Sequence, residues 1–469
     1  MIIDSIHKAL AAGIAQDAWA TDYQIRGEKV DKFRRYVDGE HDAQMTAEMK
    51  KALRVSTDPN GHAPFNSNKC DDVIQTMADR LIVDRIEGDN DAASEWAQGV
   101  LDANRFDALQ MDLHEGSLRD GDTYLLEEFD NERQVVRWCH ELAWDGTEGM
   151  LVVPQNRDKS KLACAVKVWC ETTSTINDTT RINFYYPDRI EKYIANVDGG
   201  LKPYEDPAQP GVWPIPWTDN GKPLGVPVIA FPNRGRQGYG LSELENVLPL
   251  QDSLNRTLHS MVMTAELTAF SIYFAKGFNP GAALTPGMIL KVTGEGGAPL
   301  GKDDVAEFDK IAGSDIKPFI DVAEFFIRQI ESVSRTPSMD TNANLSGEAM
   351  KQSEIKLLGK VRRFQVKSGN GYEDAMAMAH RIQTAFGTSN PPAAAAWKTV
   401  WADAEIRNDK DTVDNVMKVA DKIGPKETLR QLSPVFGWDE AAIDTILAEA
   451  AAAQGARTQA ALQGFNSFQ

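Results

Sequence analysis

Two helical segments separated by a glycine-rich stretch constrain the fold most strongly. In the first segment, residues 241–270, Ser242 and Glu245 form an S-x-x-E pattern that predicts a capping box at the start of a helix. The second helical segment covers residues 315–335. Residues 271–314 between them contain many glycines and short strand-like runs, which predict a small α/β module or β-ribbon. Two helices that flank such a module are expected to pair, with the module at their far end.

Apolar side chains cover more than one face of the second helix. They are Phe319, Ile320, Val322, Ala323, Phe325, Phe326, Ile327, Ile330 and Val333. A helix with this pattern needs neighbours on more than one side. We expect packing between the apolar stripes of the two helices, through Leu254, Leu258 and Met261 on the first and Phe326 and Ile330 on the second.

The remainder of the chain mixes helices with strands. A helix is predicted from Asn68, and β-branched and aromatic runs separated by turn residues predict a β-meander over residues 123–196. Residues 197–222 are rich in Pro and Gly and predict a long loop. A long helix to about Phe386 follows residue 346, and then one strand at residues 398–405 precedes a helical tail. The predicted fold class is therefore α+β.

The charge and motif content exclude several classes of protein. The chain carries 69 acidic and 50 basic residues, a net charge of -19. Sequence-specific DNA-binding proteins, in contrast, have Lys and Arg clustered on one face. This charge balance does not exclude a protein that contacts DNA without binding it tightly. No run reaches the roughly 18 apolar residues of a membrane-spanning helix. The four cysteines form no CxxC pair and the seven histidines are scattered, so we expect no metal site, no cofactor and no catalytic constellation.

A glycine loop before the first helix raises the possibility of a phosphate-binding site. Gly235, Gly238 and Gly240 follow a strand-like run, but they form G-x-x-G-x-G and not the G-x-G-x-x-G of dinucleotide-binding loops. No second strand with a ribose-binding acid follows. A nucleotide-dependent enzyme that uses residues 235–240 is therefore the disfavoured alternative.

Several short motifs occur in an order typical of one family. They are VPVIAFPN at residues 226–233, SELE at 242–245, LQDSLN at 250–255, TP at 336–337 and SGEAMK at 346–351. Each is weak alone, but together they resemble the portal proteins of tailed bacteriophages, of the siphophage type. The resemblance extends from Asn68 through the tail helices, and the first 60 residues match least.

The resemblance implies a portal-type fold with four parts and a loop between two of them. These are a wing of helices and β-meander (1–240 and 346–408), a two-helix stem (241–270 and 315–335), a small α/β clip (271–314), a tunnel loop (336–345) and a helical crown (409–469). Such a chain is expected to form a homo-oligomeric ring, usually a dodecamer. In the virion the ring occupies one capsid vertex, after assembly in the host cytoplasm.

The resemblance also implies partners and a role without enzymatic activity. Double-stranded DNA passes through the ring without sequence-specific contacts during packaging and ejection. The ring is a docking platform for the terminase large subunit and for head-completion or adaptor proteins, and it contacts major capsid and scaffolding proteins. No membrane is involved. A different capsid-associated protein, such as a head-completion or minor capsid factor, is the main alternative.

Two groups of residues are candidates for contact with DNA. In the implied tunnel loop these are Met339, Asp340, Asn342 and Asn344, and an ordinary helix connection is the alternative interpretation of this loop.

The second group lies in the basic middle of the long helix. Its members are Lys356, Lys360, Arg362 and Arg363, which would form a positive ring facing DNA. A solvated helix face or salt bridges between subunits explain the same charges. Residues 241–336 carry 13 acidic and 8 basic residues, a balance that lets DNA slide because it gives the backbone few cations to bind.

Overall fold

The chain folds into two compact units, Met1–Asp403 and Ala404–Gln469. The computed structural model describes residues 17–43, 45–53, 66–155, 158, 161–173, 176–195, 200–205, 210–234, 239–269, 272–276, 307–311, 315–337, 347–404, 409–436, 438, 442–450 and 452. Helices and antiparallel sheets are both abundant, so the α+β class predicted from the sequence is confirmed.

Ten helices are named here in chain order. They are α1 (Asp17–Val37), α2 (Ala47–Leu53), α3 (Cys70–Ala78), α4 (Asp91–Ala103), α5 (Phe106–Asp120), α6 (Leu248–Ala269), α7 (Lys317–Ser334), α8 (Gly347–Phe386), α9 (Asp409–Ile423) and α10 (Pro425–Phe436). The expected helix near Asn68 begins two residues later, and the Asn68 side chain accepts a hydrogen bond from the Cys70 amide at 3.0 Å.

The strands are also numbered in chain order. They are β1 (Val83–Gly88), β2 (Asp122–Asp130), β3 (Val135–Leu142), β4 (Gly149–Pro154), β5 (Leu162–Thr173), β6 (Ile176–Tyr185), β7 (Arg189–Ala195), β8 (Leu201–Pro203), β9 (Ile215–Pro216), β10 (Thr218–Asp219), β11 (Lys222–Pro223), β12 (Val228–Pro232), β13 (Ile272–Lys276), β14 (Glu307–Ile311) and β15 (Trp397–Trp401). The segment 197–222, expected to be a loop, therefore contains three short strands and the first residue of a fourth.

The predicted β-meander is divided between two antiparallel sheets. The first has the order β12-β2-β3, and the second contains β4 to β8 in sequence order, with β9 paired to β7. The expectation of one continuous meander is wrong because β12 arrives from far along the chain and pairs with β2, opposite Leu126 at Val228. Residues 122–127 are consequently buried on both faces of β2, a pattern that strict alternation does not reveal.

Helix α8 crosses the first sheet and holds the main hydrophobic core. Tyr372 and Met376 on α8 join Leu125 and Phe231 from the sheet in one buried cluster. The sequence Ser-Gly-Asn-Gly at residues 368–371 lies inside the continuous helix. A Cβ atom on Gly371 would lie 2.8 Å from the Phe231 ring, so glycine allows the helix to approach the sheet closely.

Helix α1 packs on the second sheet and also contacts the connection between α5 and β2. The Tyr23 hydroxyl accepts a hydrogen bond from the Val152 amide at 3.0 Å. The Arg34 guanidinium contacts Asp120 at 2.8 Å and Asp145 at 2.9 Å. These contacts fix α1 against both parts of the fold.

Helix α6 begins six residues later than the S-x-x-E pattern predicts. Ser242 accepts a hydrogen bond from the Leu244 amide at 3.0 Å, but residues 243–247 form turns and the helix starts at Leu248. The predicted capping box is therefore wrong, because the fold holds the chain at Ser242 and Glu243 in another conformation. Pro249 accordingly lies in the first turn of α6, where its missing amide costs no hydrogen bond.

A β-hairpin lies between α6 and α7 along the chain. Strands β13 and β14 pair in an antiparallel register from Ile272 opposite Ile311 to Lys276 opposite Glu307. Helices α6 and α7 pack against each other, as expected from their apolar stripes. Residues 277–306 lie outside the described part of the chain.

The second unit contains α9, α10 and a helical stretch at residues 442–450. Leu432 and Ile443 are buried within it, and Lys426 contacts Asp444 at 2.6 Å. This helical content is expected from the sequence. Across the described residues, no helix is long and apolar enough to cross a membrane.

Two glycine substitutions are expected to change stability in opposite directions. In Gly240→Ala the new Cβ would lie 1.4 Å from the Gly121 carbonyl oxygen, so we expect the free energy of unfolding to fall by at least about 2 kcal/mol. The control, Gly359→Ala, places a methyl group in open space on α8 and should raise that free energy by about 0.5–1 kcal/mol. Urea unfolding measures both, and equal effects would contradict the close approach at Gly240.

Candidate functional site

The chain between β12 and α6 is held against the connection between α5 and β2. The Asn233 amide donates to the Gly121 carbonyl at 2.8 Å, and the Glu243 amide donates to the Leu118 carbonyl at 2.9 Å. The Leu241 amide donates back to Asn233 at 2.8 Å and closes the loop. The residues leading into α6 are therefore positioned by backbone contacts with the sheet domain.

A buried carboxylate gathers three polar side chains at this junction. Glu243 accepts a hydrogen bond from the Asn233 amide group at 2.9 Å, contacts Arg234 at 3.0 Å and forms an ion pair with Lys360 at 2.7 Å. The side chains of Glu243 and Lys360 are only 2% and 7% exposed. Such a pair is stable only with additional hydrogen bonds, which Asn233 and Arg234 supply.

The Lys360 ammonium connects three separate parts of the chain. It lies on α8, pairs with Glu243 before α6, and donates to the Ser334 carbonyl at the end of α7 at 2.7 Å. Burial lowers the pKa of Lys360, and the negative charge of Glu243 acts in the opposite direction. We name Asn233, Glu243, Ser334 and Lys360 the junction cluster.

The structure separates the predicted DNA-facing residues. The Lys360 ammonium is bound inside the subunit, whereas Lys356, Arg362 and Arg363 are exposed on α8. A helix-face pattern of basic residues does not reveal which of them has a buried partner. The four candidates of the tunnel loop, Met339, Asp340, Asn342 and Asn344, lie outside the described residues.

A cavity of about 360 Å³ opens beside the junction cluster. Its lining residues are Asn233, Arg234, Glu243, Val333, Ser334, Arg335, Lys360, Arg363, Phe364 and Lys367. Five of them are basic and one is acidic, so the wall carries a net positive charge in a chain that is acidic overall.

Polar side chains at four-residue spacing attach α6 to the segment before α3. Gln251 accepts from the Lys69 amide at 2.9 Å, and Asn255 accepts from the Ser67 amide at 3.0 Å. One turn further, His259 pairs with Asn66 at 2.9 Å. All three α6 side chains are buried.

We name Gln251, Asn255 and His259 the polar ladder. Sequence reasoning followed the apolar stripe of α6 and missed this ladder. The signal was present, since three polar residues recur on one helical face among apolar neighbours.

The residues predicted to pack between the two helices are partly buried in the single subunit. Leu254 on α6 and Ile330 on α7 are almost completely buried, whereas Leu258, Met261 and Phe326 are half-buried. Their mutual packing in an assembly stays a prediction. Among the described residues no group of three or more His, Cys, Asp or Glu side chains is arranged to hold a metal ion.

Glu127 is a second buried carboxyl group, with a different environment. It lies on β2 opposite Trp138 on β3, is 0% exposed, and neither carboxyl oxygen has a hydrogen-bond partner. Burial raises the pKa of Glu127 well above its ordinary value, while Trp138 and the charge of Arg381 act in the opposite direction. Burial of this carboxyl group therefore favours its neutral form over the carboxylate.

Replacement of Lys360 should destabilise the chain far more than replacement of an exposed lysine on the same helix. Lys360→Met leaves the buried Glu243 carboxylate without its cation, so we expect a loss of about 3–5 kcal/mol in the free energy of unfolding. Lys356→Met, the control, should stay within about 0.5 kcal/mol.

Urea unfolding of these variants, of Glu243→Gln and of Glu243→Gln/Lys360→Met measures the coupling between the two groups. The double variant should lose less stability than the sum of the single changes. A Lys360→Met loss no larger than that of the control would argue against the junction cluster as a structural centre.

Glu127 should make stability depend on pH. The pKa of Glu127 is higher in the folded than in the unfolded chain. The contribution of this group to stability is therefore complete below the unfolded pKa of about 4.3 and is lost as pH rises towards the folded pKa. Glu127→Gln removes this dependence. We expect the variant to gain stability relative to the parent protein as pH rises from about 4.3 towards the folded pKa, at up to about 1.4 kcal/mol per pH unit. Thermal unfolding across this range checks it, and a constant difference would contradict it.

Comparison with known proteins gives one consistent family. A family model described as phage portal protein, SPP1 Gp6-like, matches residues 20–456. Portal proteins of Mycobacterium phages D29 and L5 are each 28% identical to the chain, over 210 and 204 residues. Each alignment covers 41% of this chain and 41% of the relative, so it spans about two fifths of the relative's length. Because the family model matches far more than half of the chain, the chain belongs to the phage portal protein family.

Proposed function

We propose that the chain assembles into a homo-oligomeric portal ring at one capsid vertex, with a central channel for DNA packaging and ejection. The family match supports the portal role. A second apolar face on α7, beyond the face that packs inside the subunit, is the observation that carries the ring. The role is structural, and the energy for DNA movement comes from a separate motor.

The two faces of α7 differ in what covers them. Ala323 and Ile330 are buried inside the subunit, whereas Val322, Phe325 and Val333 are 45%, 49% and 46% exposed. With 3.6 residues per turn, the three exposed side chains fall within about 80° of one another around the helix. A cluster of large apolar side chains on an exposed helical face is typical of an interaction surface. A second copy of the chain is the occupant that we propose.

The proposed parts follow the observed elements. Helices α6 and α7 form the stem, the β13–β14 hairpin belongs to the clip, and the loop after α7 is the tunnel loop. The wing contains the two sheets with α1 to α5 and α8, and the helices of the second unit form the crown. In this arrangement the clip lies at one end of the stem and is the proposed docking surface for the terminase large subunit and for head-completion or adaptor proteins.

DNA passes through the proposed channel without sequence-specific contacts. An acidic stem and clip release DNA easily because they provide few cations for its phosphates. Lys356, Arg362 and Arg363 are the exposed bases of the proposed DNA-facing set, and the tunnel-loop residues are proposed to touch DNA beside them. Major capsid and scaffolding proteins are proposed partners at the rim of the ring, and a dodecamer is the proposed state in the virion.

A charge on the exposed face of α7 should prevent ring assembly without unfolding the subunit. In Phe325→Asp an ionised side chain would have to be buried between subunits, which costs several kcal/mol per interface. We expect a shift from rings to monomers by sedimentation velocity and by negative-stain electron microscopy. Met111→Asp changes a similarly exposed apolar side chain on α5 and should leave the rings intact.

The parent protein provides the test of the ring itself. A strictly monomeric chain at high concentration and at every salt concentration would argue for a head-completion or minor capsid factor instead. Rings that persist in Phe325→Asp with a normal melting temperature would contradict the proposed interface.

A further inference from the structure

The basic cavity beside the junction cluster contains more basic side chains than the contacts within the fold require. Within it, Lys360 binds Glu243 and the Ser334 carbonyl, and Arg234 binds Glu243 at 3.0 Å. These contacts neutralise Glu243, the one carboxylate among the described residues of the wall, and satisfy the carbonyl at the end of α7. The structural requirements of this region are therefore met by two of its five basic side chains.

The other three bases converge on the same cavity without such partners. Arg335, Arg363 and Lys367 line it, and none of the three forms an ion pair with any residue in the described part of the chain. Arg335 ends α7 in a left-handed conformation with φ of 60°, while Arg363 and Lys367 are one turn apart on α8. Three basic side chains from two elements therefore face one concave surface without an ion-pair partner among the described residues, and such a surface attracts anions.

The size and donor chemistry of the cavity favour phosphate. Guanidinium groups present parallel N–H donors that match the oxygens of a phosphate group, and a lysine adds a point charge. A volume of about 360 Å³ accommodates a phosphodiester with its flanking sugars. The Glu243 carboxylate lies in the wall but is already bound by Asn233, Arg234 and Lys360, so it does not repel a second anion strongly.

We propose that this cavity binds a phosphate group, and that in the assembled ring this group is a backbone phosphate of DNA. The second part rests on the proposed portal function, whereas the first does not. Arg335 is followed by Thr336, where the proposed tunnel loop begins. Phosphate bound at Arg335 and Arg363 therefore connects the base of this loop to α8.

Equilibrium binding of a short duplex DNA to the full chain tests the proposal. We expect Arg363→Ala/Lys367→Ala to lower DNA affinity at least about tenfold at low salt and to reduce the slope of log affinity against log salt by about 1 to 2. Arg381→Ala is the matched control, because it removes an exposed base of α8 that lies outside the cavity and outside the proposed DNA-facing set. Both replaced cavity bases are exposed, so an unchanged melting temperature should show that the variant is folded.

Inorganic phosphate and poly-glutamate, followed by isothermal titration calorimetry, distinguish the sources of the anion. Loss of both phosphate and DNA binding in the double variant, but not in Arg381→Ala, supports the proposal in full. Loss of phosphate binding with unchanged DNA affinity overturns the DNA assignment, and no change for either ligand overturns the site. Binding of poly-glutamate without phosphate binding overturns it as well, in favour of an acidic protein partner.

Electron microscopy of the same samples distinguishes a failure of the proposed portal assembly from a failure of the proposed phosphate site. Rings that form normally while the cavity variant binds DNA like the parent protein leave the portal function intact and refute the site. A chain that binds phosphate through Arg363 and Lys367 but forms no rings refutes the portal assembly and retains the site.

Discussion

The buried ion pair between Glu243 and Lys360 is the constraint on which the rest of the arrangement depends. A carboxylate and an ammonium removed from water are costly unless each has further hydrogen-bond partners. Here those partners come from the loop after β12 and from the last turn of α7. The charges therefore require three distant segments to meet with correct geometry. Alternative packings of α6, α7 and α8 are disfavoured because each would leave at least one buried charge without a partner.

The hydrophobic core and the polar junction have complementary roles. The aromatic cluster around Tyr372 attaches α8 to the first sheet, and glycine at 371 sets the distance between them. Apolar packing of this kind tolerates small shifts, since its energy depends on area rather than on direction. The orientation of α8 is set by the hydrogen bonds and the ion pair between Lys360, on the N-terminal half of this helix, and Glu243 before α6. Helix α8 therefore connects the first sheet to the end of α7 and fixes the position of one relative to the other.

Much of the fold could be predicted from local patterns, whereas the site could not. Helices α3 and α8 lie close to their predicted positions because apolar periodicity is a local signal. The start of α6 was wrong because Ser242 and Glu243 follow tertiary contacts to Leu118 and Lys360, which no local pattern encodes. The division of the β-meander depends on β12, which is about a hundred residues from its partner β2. Burial of Lys360 among exposed bases is likewise a property of the packed chain.

The polar ladder of α6 has a consequence for how this helix can move. A helix that packs only through leucine and methionine can slide past its neighbour by one turn, about 5.4 Å, and find an equivalent apolar surface. Gln251 bonds Lys69 and Ser67, Asn255 bonds Ser67, and His259 bonds Asn66, so a slide of one turn would leave a buried amide or imidazole without its partner. Axial displacement is therefore blocked in the N-terminal half of α6, where the polar ladder lies. A conformational change of this helix has to occur by bending or rotation about the ladder.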